Sequence, residues 1–125
     1  MKCVSAFIGA IVLSVALASQ SLAEIAPERV GKCVDTRIRN LGSRLQGVPS
    51  SGSAVTYVNG VWAMSYEVLP EIQSSRVGDP IRLCLVFVPR RCPKGDDRGK
   101  IYSSFNLRTF RGWFLPNDEH ACGGA

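Results

Sequence analysis

The chain carries a single histidine, His120, in 125 residues. That scarcity removes histidine-based metal clusters, and no motif sets a serine nucleophile beside it, so acid–base relays have no visible machinery. Cysteines are few and widely spaced. No C-x2-C pair exists, which a structural zinc site would want. There is no internal repeat, no low-complexity segment and no Asn-x-Ser/Thr glycosylation acceptor. Neither a cofactor nor a metal is expected, and the chemistry of the chain has to be sought in charge, aromatic residues and disulfides.

What is present begins with an export signal. Lys2 precedes an apolar run from Ala6 to Ala18, followed by polar Ser19 and Gln20 and by small residues at Ser21 and Ala23. The run is about a dozen residues, short of the roughly 20 that span a bilayer. Cleavage is expected after Ala23, giving a signal at 1–23 and one small domain at 24–125. Cys3 lies in the charged region and residue 24 is Glu, so a lipid anchor has no acceptor in the right place. The mature chain is therefore expected in the periplasm or outside the cell, with no transmembrane segment.

Lys2 leaves with the signal, so 14 of the 15 Lys and Arg face 10 Asp and Glu, a net charge of +4. This mild excess suits an anionic envelope surface and lacks the dense basic face, interleaved with aromatics, of a nucleic-acid binder. No specific nucleic-acid partner is expected. Four cysteines remain, Cys33, Cys84, Cys92 and Cys122. An even number in a chain bound for an oxidising compartment points to two disulfides. Of the three pairings, Cys33–Cys84 across neighbouring strands with Cys92–Cys122 at the tail is favoured, and the other two stay open. Each bridge is worth roughly 2–4 kcal/mol, a large share of a net stability of about 5–15 kcal/mol.

The clearest local pattern is "AVTYVNGVWAMSYEV" at 54–68. Asn59-Gly60 between two β-branched and aromatic runs reads as a hairpin with a two-residue type I′ turn. That register sets Val58 opposite Val61, Tyr57 opposite Trp62 and Val55 opposite Met64. Tyr57, Val55, Trp62, Met64, Tyr66 and Val68 then share one face, and Thr56, Ala63, Ser65 and Glu67 the other. "LPEIQSSRVGDP" at 69–80 has room for one helical turn before a turn at Gly78-Asp79-Pro80. "IRLCLVFV" at 81–88 reads as a central strand covered on both faces, with Cys84 buried in its middle. "KIYSSFNLRTFRGWFLP" at 100–116 reads as a second hairpin broken near Arg111-Gly112. "CVDTRIRNLGSRL" at 33–45 reads as a strand with a bulge near Gly42, and "QGVPSSGS" at 46–53 as a loop. The fold class that follows is all-β, a small antiparallel barrel or sandwich of about six strands stabilised by two disulfides. A five-stranded barrel of the OB type is a specific variant, because the helical turn falls between the third and fourth strands.

"RRCPKGDDRGK" at 90–100 concentrates Arg90, Arg91, Lys94, Arg98 and Lys100 around Cys92. A calcium loop needs oxygens at alternate positions, and Asp96 and Asp97 are adjacent beside Arg98, so that pattern fails. The functional expectation is an anion-facing loop fixed at Cys92, able to hold carboxylate or phosphate bidentately; a solvated polar loop is the competing reading. Phe110, Arg111 and Trp113, near the second hairpin turn with Arg108 and Phe114, complete the expected binding surface. In general look, as an exported small β domain with two disulfides and no catalytic inventory, the chain is similar to small envelope inhibitors of lysozyme or of proteases. That likeness is one of architecture and assigns no residue. The leading expectation is a non-enzymatic binding protein acting on a protein or anionic envelope partner. The alternatives are a small secreted hydrolase, a nuclease or glycan-active enzyme using His120 with a carboxylate such as Glu67 or Glu71, and a structural subunit of an envelope assembly.

Overall fold

The computed structural model describes residues 25–124. The expected signal at 1–23 and Cys3 lie outside the described residues. Six antiparallel strands form one curled half-barrel: β1 (Cys33–Gly42), β2 (Ser53–Tyr57), β3 (Trp62–Ser65), β4 (Pro80–Phe87), β5 (Ile101–Asn106) and β6 (Arg111–Pro116). One helical turn, α1 (Pro70–Gln73), falls between β3 and β4 as expected, and a short 3-10 turn sits at Pro49–Ser51. The strand order is β3-β2-β1-β4-β5-β6. Both favoured disulfides are present, Cys33–Cys84 between β1 and β4 and Cys92–Cys122 between the β4–β5 loop and the tail. No helix among the described residues is long and apolar enough to cross a membrane.

β1 serves two ladders. Its first half, Cys33–Arg37, pairs with β4, and its second half, from Ile38 to Gly42, pairs with β2. The register shifts between Ile38 and Asn40, so the bulge sits at Arg39 rather than near Gly42. An extra residue there bends the strand and increases its twist, which lets one strand turn from one half of the sheet into the other.

The β2–β3 hairpin forms, with a register one residue away from the expected one. Val55 pairs with Ala63 and Thr56 with Trp62. The loop has three residues. Gly60 N–H donates to Tyr57 O at 3.0 Å and Tyr57 N–H to Val61 O at 2.9 Å. Gly60 has φ 87°, whereas Asn59 stays out of the left-handed region and uses its Oδ1 to accept from Val61 N–H at 3.2 Å. A type I′ turn would need positive φ at both central residues; a three-residue loop needs it only at the glycine. Since a one-residue slip exchanges faces, Val61 and Ala63 join Val55 and Tyr57 in the core, while Trp62 turns outward and is half-buried.

β4 also departs from expectation. Ile81, Leu83 and Leu85 are fully buried, but Arg82 and Val86 are exposed and Cys84 is only half-buried. The strand is central in the sheet order yet covered on one face, as antiparallel sheets allow. In β5 the inward residues are Tyr102, Ser104 and Asn106, the more polar of its two alternating sets.

Those polar atoms have partners. The Tyr57 hydroxyl shares a hydrogen bond with Ser104 Oγ at 2.5 Å and accepts from Trp113 Nε1 at 3.0 Å. β2, β5 and β6 are thereby joined through the middle of the core. Burial pushes the Tyr57 hydroxyl up to about 12, against the opposite pull of its two hydrogen bonds, so it stays protonated. Tyr57→Phe removes the acceptor of the Trp113 indole among the described residues and is expected to lower stability by about 1–3 kcal/mol. Urea unfolding of the oxidised protein measures this; an unchanged midpoint would show that the bridge contributes nothing.

Candidate interaction surface

The β4–β5 loop is fastened to the tail at more than its disulfide. Asp96 accepts both Nε and Nη2 of Arg98 at 2.9 Å, and its Oδ2 also accepts Gly123 N–H at 3.0 Å. The Arg98 guanidinium, more than any other contact, holds the Asp96 carboxyl well below the usual carboxylate range. Asn117 accepts from Gly99 N–H and donates to Asp97 O, both at 2.8 Å. Lys100 Nζ lies 3.5 Å from Asp97 Oδ1. Two of the five loop cations are therefore engaged by the loop's own carboxylates. Arg90, Arg91 and Lys94 are exposed, and their side chains make no ion pair among the described residues.

The β5–β6 turn is built on a buried carboxylate. Asp79, 5% exposed, receives Arg108 through Nε–Oδ1 at 2.6 Å and Nη2–Oδ2 at 2.9 Å. It also accepts from Asn106 Nδ2 at 2.9 Å and from Arg76 N–H at 2.8 Å. Asn106, 0% exposed, donates further to Ser75 Oγ at 3.0 Å, and its Oδ1 accepts from the backbone of Arg108 and Thr109 at 2.9 and 3.2 Å. Phe110 N–H closes the turn on Asn106 O at 2.8 Å. The Arg108 hydrogen bonds outweigh burial and hold Asp79 well below the usual carboxylate range.

On this base Phe110 stands 75% exposed with φ 57°. A bulky L-residue adopts that conformation only where its surroundings impose it. Its ring meets Phe105 edge-on at 6.3 Å between centroids. The Phe105 ring in turn lies over Gly112, where a Cβ would come within 2.7 Å of Ser104 O and 3.5 Å of Phe105 Cδ2. Phe114, 70% exposed, follows on the same face of β6, and Arg82 is the cross-strand partner of Phe105 on β4. The result is an outward-facing group of three phenylalanines beside Arg82, while Arg111, the cross-strand partner of Asn106, stands exposed at the hairpin end on the alternate side of β6.

The expected surface is thus divided. Phe110 and Arg111 lie at one end of β5, and Arg90, Arg91, Lys94 and Arg98 at the other. At about 3.3 Å per residue, six residues separate the two by roughly 20 Å. Trp113 does not belong to either: it is 4% exposed and faces the core. Arg98 is held in its pair with Asp96. Phe105 and Arg82 are not among the residues expected from the sequence; along β5 Phe105 alternates with inward-facing Tyr102, Ser104 and Asn106. The only two non-glycine residues with positive φ among those described are Arg91 and Phe110, one at each end. His120 is exposed, with its backbone N–H on Asp118 Oδ1 at 2.9 Å. Among the described residues no group of three or more His, Cys, Asp or Glu could hold a metal ion.

No family model matches the chain, and comparison with curated proteins and with solved structures gives no match either.

Asp79 gives this end of the molecule a defined pH dependence. Its folded-state carboxyl lies below the unfolded value of about 3.9, so the unfolded chain takes up the proton first. The stabilisation is complete above about pH 4 and is lost as pH falls toward the folded value. Asp79→Asn is expected to cost about 2–3 kcal/mol at neutral pH, and the gap to the natural protein should narrow below pH 4. Denaturation midpoints of both proteins across pH 2–7 check this; a gap independent of pH would contradict it.

Proposed function

We propose that the protein is an exported, non-enzymatic binding protein whose contact surface is the outer face of the β5–β6 hairpin, and that its partner is a protein. The observation that carries this reading is Phe110, exposed, left-handed and seated on the Asp79–Asn106–Arg108 network. Exposed apolar groups rimmed by charge mark contact sites on otherwise soluble domains. Aromatic residues and arginine dominate binding energy at such sites, and an anchor already fixed in place loses little entropy on docking. Three phenylalanines with Arg82 beside them, and Arg111 at the hairpin end, fit a partner surface that offers an apolar pocket with acidic residues at its rim.

Arg90, Arg91 and Lys94 act at the far end of β5 as a separate cationic patch. It favours encounter with an anionic envelope surface more than it fixes a specific complex. Two disulfides support an extracytoplasmic setting. The hydrolase alternative gains no support from His120, which stands exposed in the tail without a side-chain partner among the described residues.

A photo-cross-linking residue at position 114 tests the reading in envelope extract, with the same group at Arg39 as a control. A discrete adduct with another protein is expected from position 114, reduced at least about tenfold by Phe110→Ala, the loss of a strong anchor residue. Equal capture from both positions, capture indifferent to Phe110→Ala, or an adduct between two copies of this chain would each overturn it.

A further inference from the structure

A groove of about 390 Å³ opens between the β2–β3 turn and the start of β5, walled by Asn59, Trp62, Asp97, Lys100, Tyr102 and Asn117. Its size lies within the roughly 300–1,000 Å³ of small-ligand clefts. Tyr102 is 5% exposed, yet its hydroxyl has no hydrogen-bond partner among the described residues. Buried tyrosine hydroxyls ordinarily find one. Among the described residues the one sealed side-chain polar atom without a partner is Thr109 Oγ1, so the Tyr102 hydroxyl is not sealed, and Tyr102 is a wall of the groove.

The surrounding groups are partly free as well. Lys100 and Asp97 meet only at 3.5 Å, with the lysine side chain 24% and the aspartate 79% exposed. Asn59 Nδ2 reaches Ile25 O at 3.5 Å, the outer limit of a hydrogen bond. Trp62, turned outward by the three-residue hairpin loop, is half-buried and forms part of the groove wall. Asn117 differs, because both ends of its amide hold the loop backbone.

This inventory narrows the ligand. Asp97 disfavours phosphate or carboxylate, and Lys100 disfavours a cation, so formal charge cancels. Spare donors and acceptors disfavour a purely apolar molecule. A hydroxyl-rich ring satisfies all of them at once, because each hydroxyl both donates and accepts and the ring's C–H face packs on an aromatic plane. We propose that the groove binds a neutral saccharide unit of a glycan, with Trp62 against the sugar ring and Tyr102, Lys100 and Asp97 on its hydroxyls. The site is independent of the phenylalanine face and stands or falls separately from it.

The test is an NMR titration of the oxidised protein with chitotriose, maltotriose and inorganic phosphate, following the indole N–H signals of Trp62 and Trp113. One of the neutral oligosaccharides is expected to shift Trp62 and leave buried Trp113 in place. Tyr102→Phe, which keeps the buried ring, should weaken binding about 5–10-fold, the worth of one hydrogen bond. Trp62→Ala, at a half-buried position, should abolish it. A response to phosphate alone, no response to either sugar at tens of millimolar, or equal affinity in Tyr102→Phe would overturn the assignment.

Discussion

A sheet that curls until its two edges lie against each other has to be held in that shape by side chains when the edges share no ladder. β3 and β6 are those edges, and they pack together with no backbone hydrogen bond between them among the described residues. The Tyr57 hydroxyl supplies the tie at the centre, where Ser104 and Trp113 meet it from β5 and β6. Arg44 supplies one at the rim. Its guanidinium lies 4.5 Å over the Tyr66 ring beyond β3, its Nη1 donates to Glu119 beyond β6 at 2.8 Å, and its Nε donates to Ser51 O at 2.8 Å. Cation–π and charge-assisted contacts of this kind gain from partial burial, and the Arg44 side chain is 15% exposed. The Asp79 network is a third tie, joining the segment before β4 to the end of β5.

Closure of this kind explains where recognition chemistry can reside. The inner face is filled, so binding groups lie on the outer face and at the ends, and each end is braced. At one end Asp79, Asn106 and Arg108 fix the turn that presents Phe110. At the other, Cys92–Cys122, Asp96–Arg98 and Asn117 fix the loop that carries Arg90, Arg91 and Lys94 and that supplies Asp97 and Lys100 to the groove. The two left-handed non-glycine residues fall in these two braced segments. Conformations of that kind persist where surrounding contacts over-determine the backbone, and they concentrate at functional surfaces.

Much of this architecture was legible in the residues. Local alternation and turn chemistry located the strands, the helical turn and both hairpins, and an even set of four widely spaced cysteines after the expected signal pointed to two bridges. Finer features escaped because they depend on tertiary partners. The Asn59-Gly60 pair suits more than one loop length, and the three-residue loop is the one in which the Asn59 side chain accepts from Val61 N–H and Gly60 N–H donates to Tyr57 O. Ser104 and Asn106 of β5 face inward because Tyr57, Ser75 and Asp79 are there to satisfy them, and those residues lie at least 27 positions away in sequence. A run such as Ile81–Val88 reads as doubly covered from composition alone; nothing local says that Arg82 and Val86 are left exposed on its outer face and Cys84 half-buried. The arginines looked alike in sequence, and only the fold separates Arg98 and Arg108, each held by a carboxylate, from Arg90, Arg91 and Arg111.

A preformed contact surface requires that exposed Phe110 be held rigidly from beneath rather than carried on a mobile turn. Native-state amide hydrogen exchange tests that directly, since local opening frees exposed turns long before the core. The amides of Arg108, Thr109 and Phe110 are expected to exchange nearly as slowly as those of Tyr102 and Ser104 in β5. Exchange of the three at unprotected rates, while β5 stays protected, would contradict a preformed contact surface.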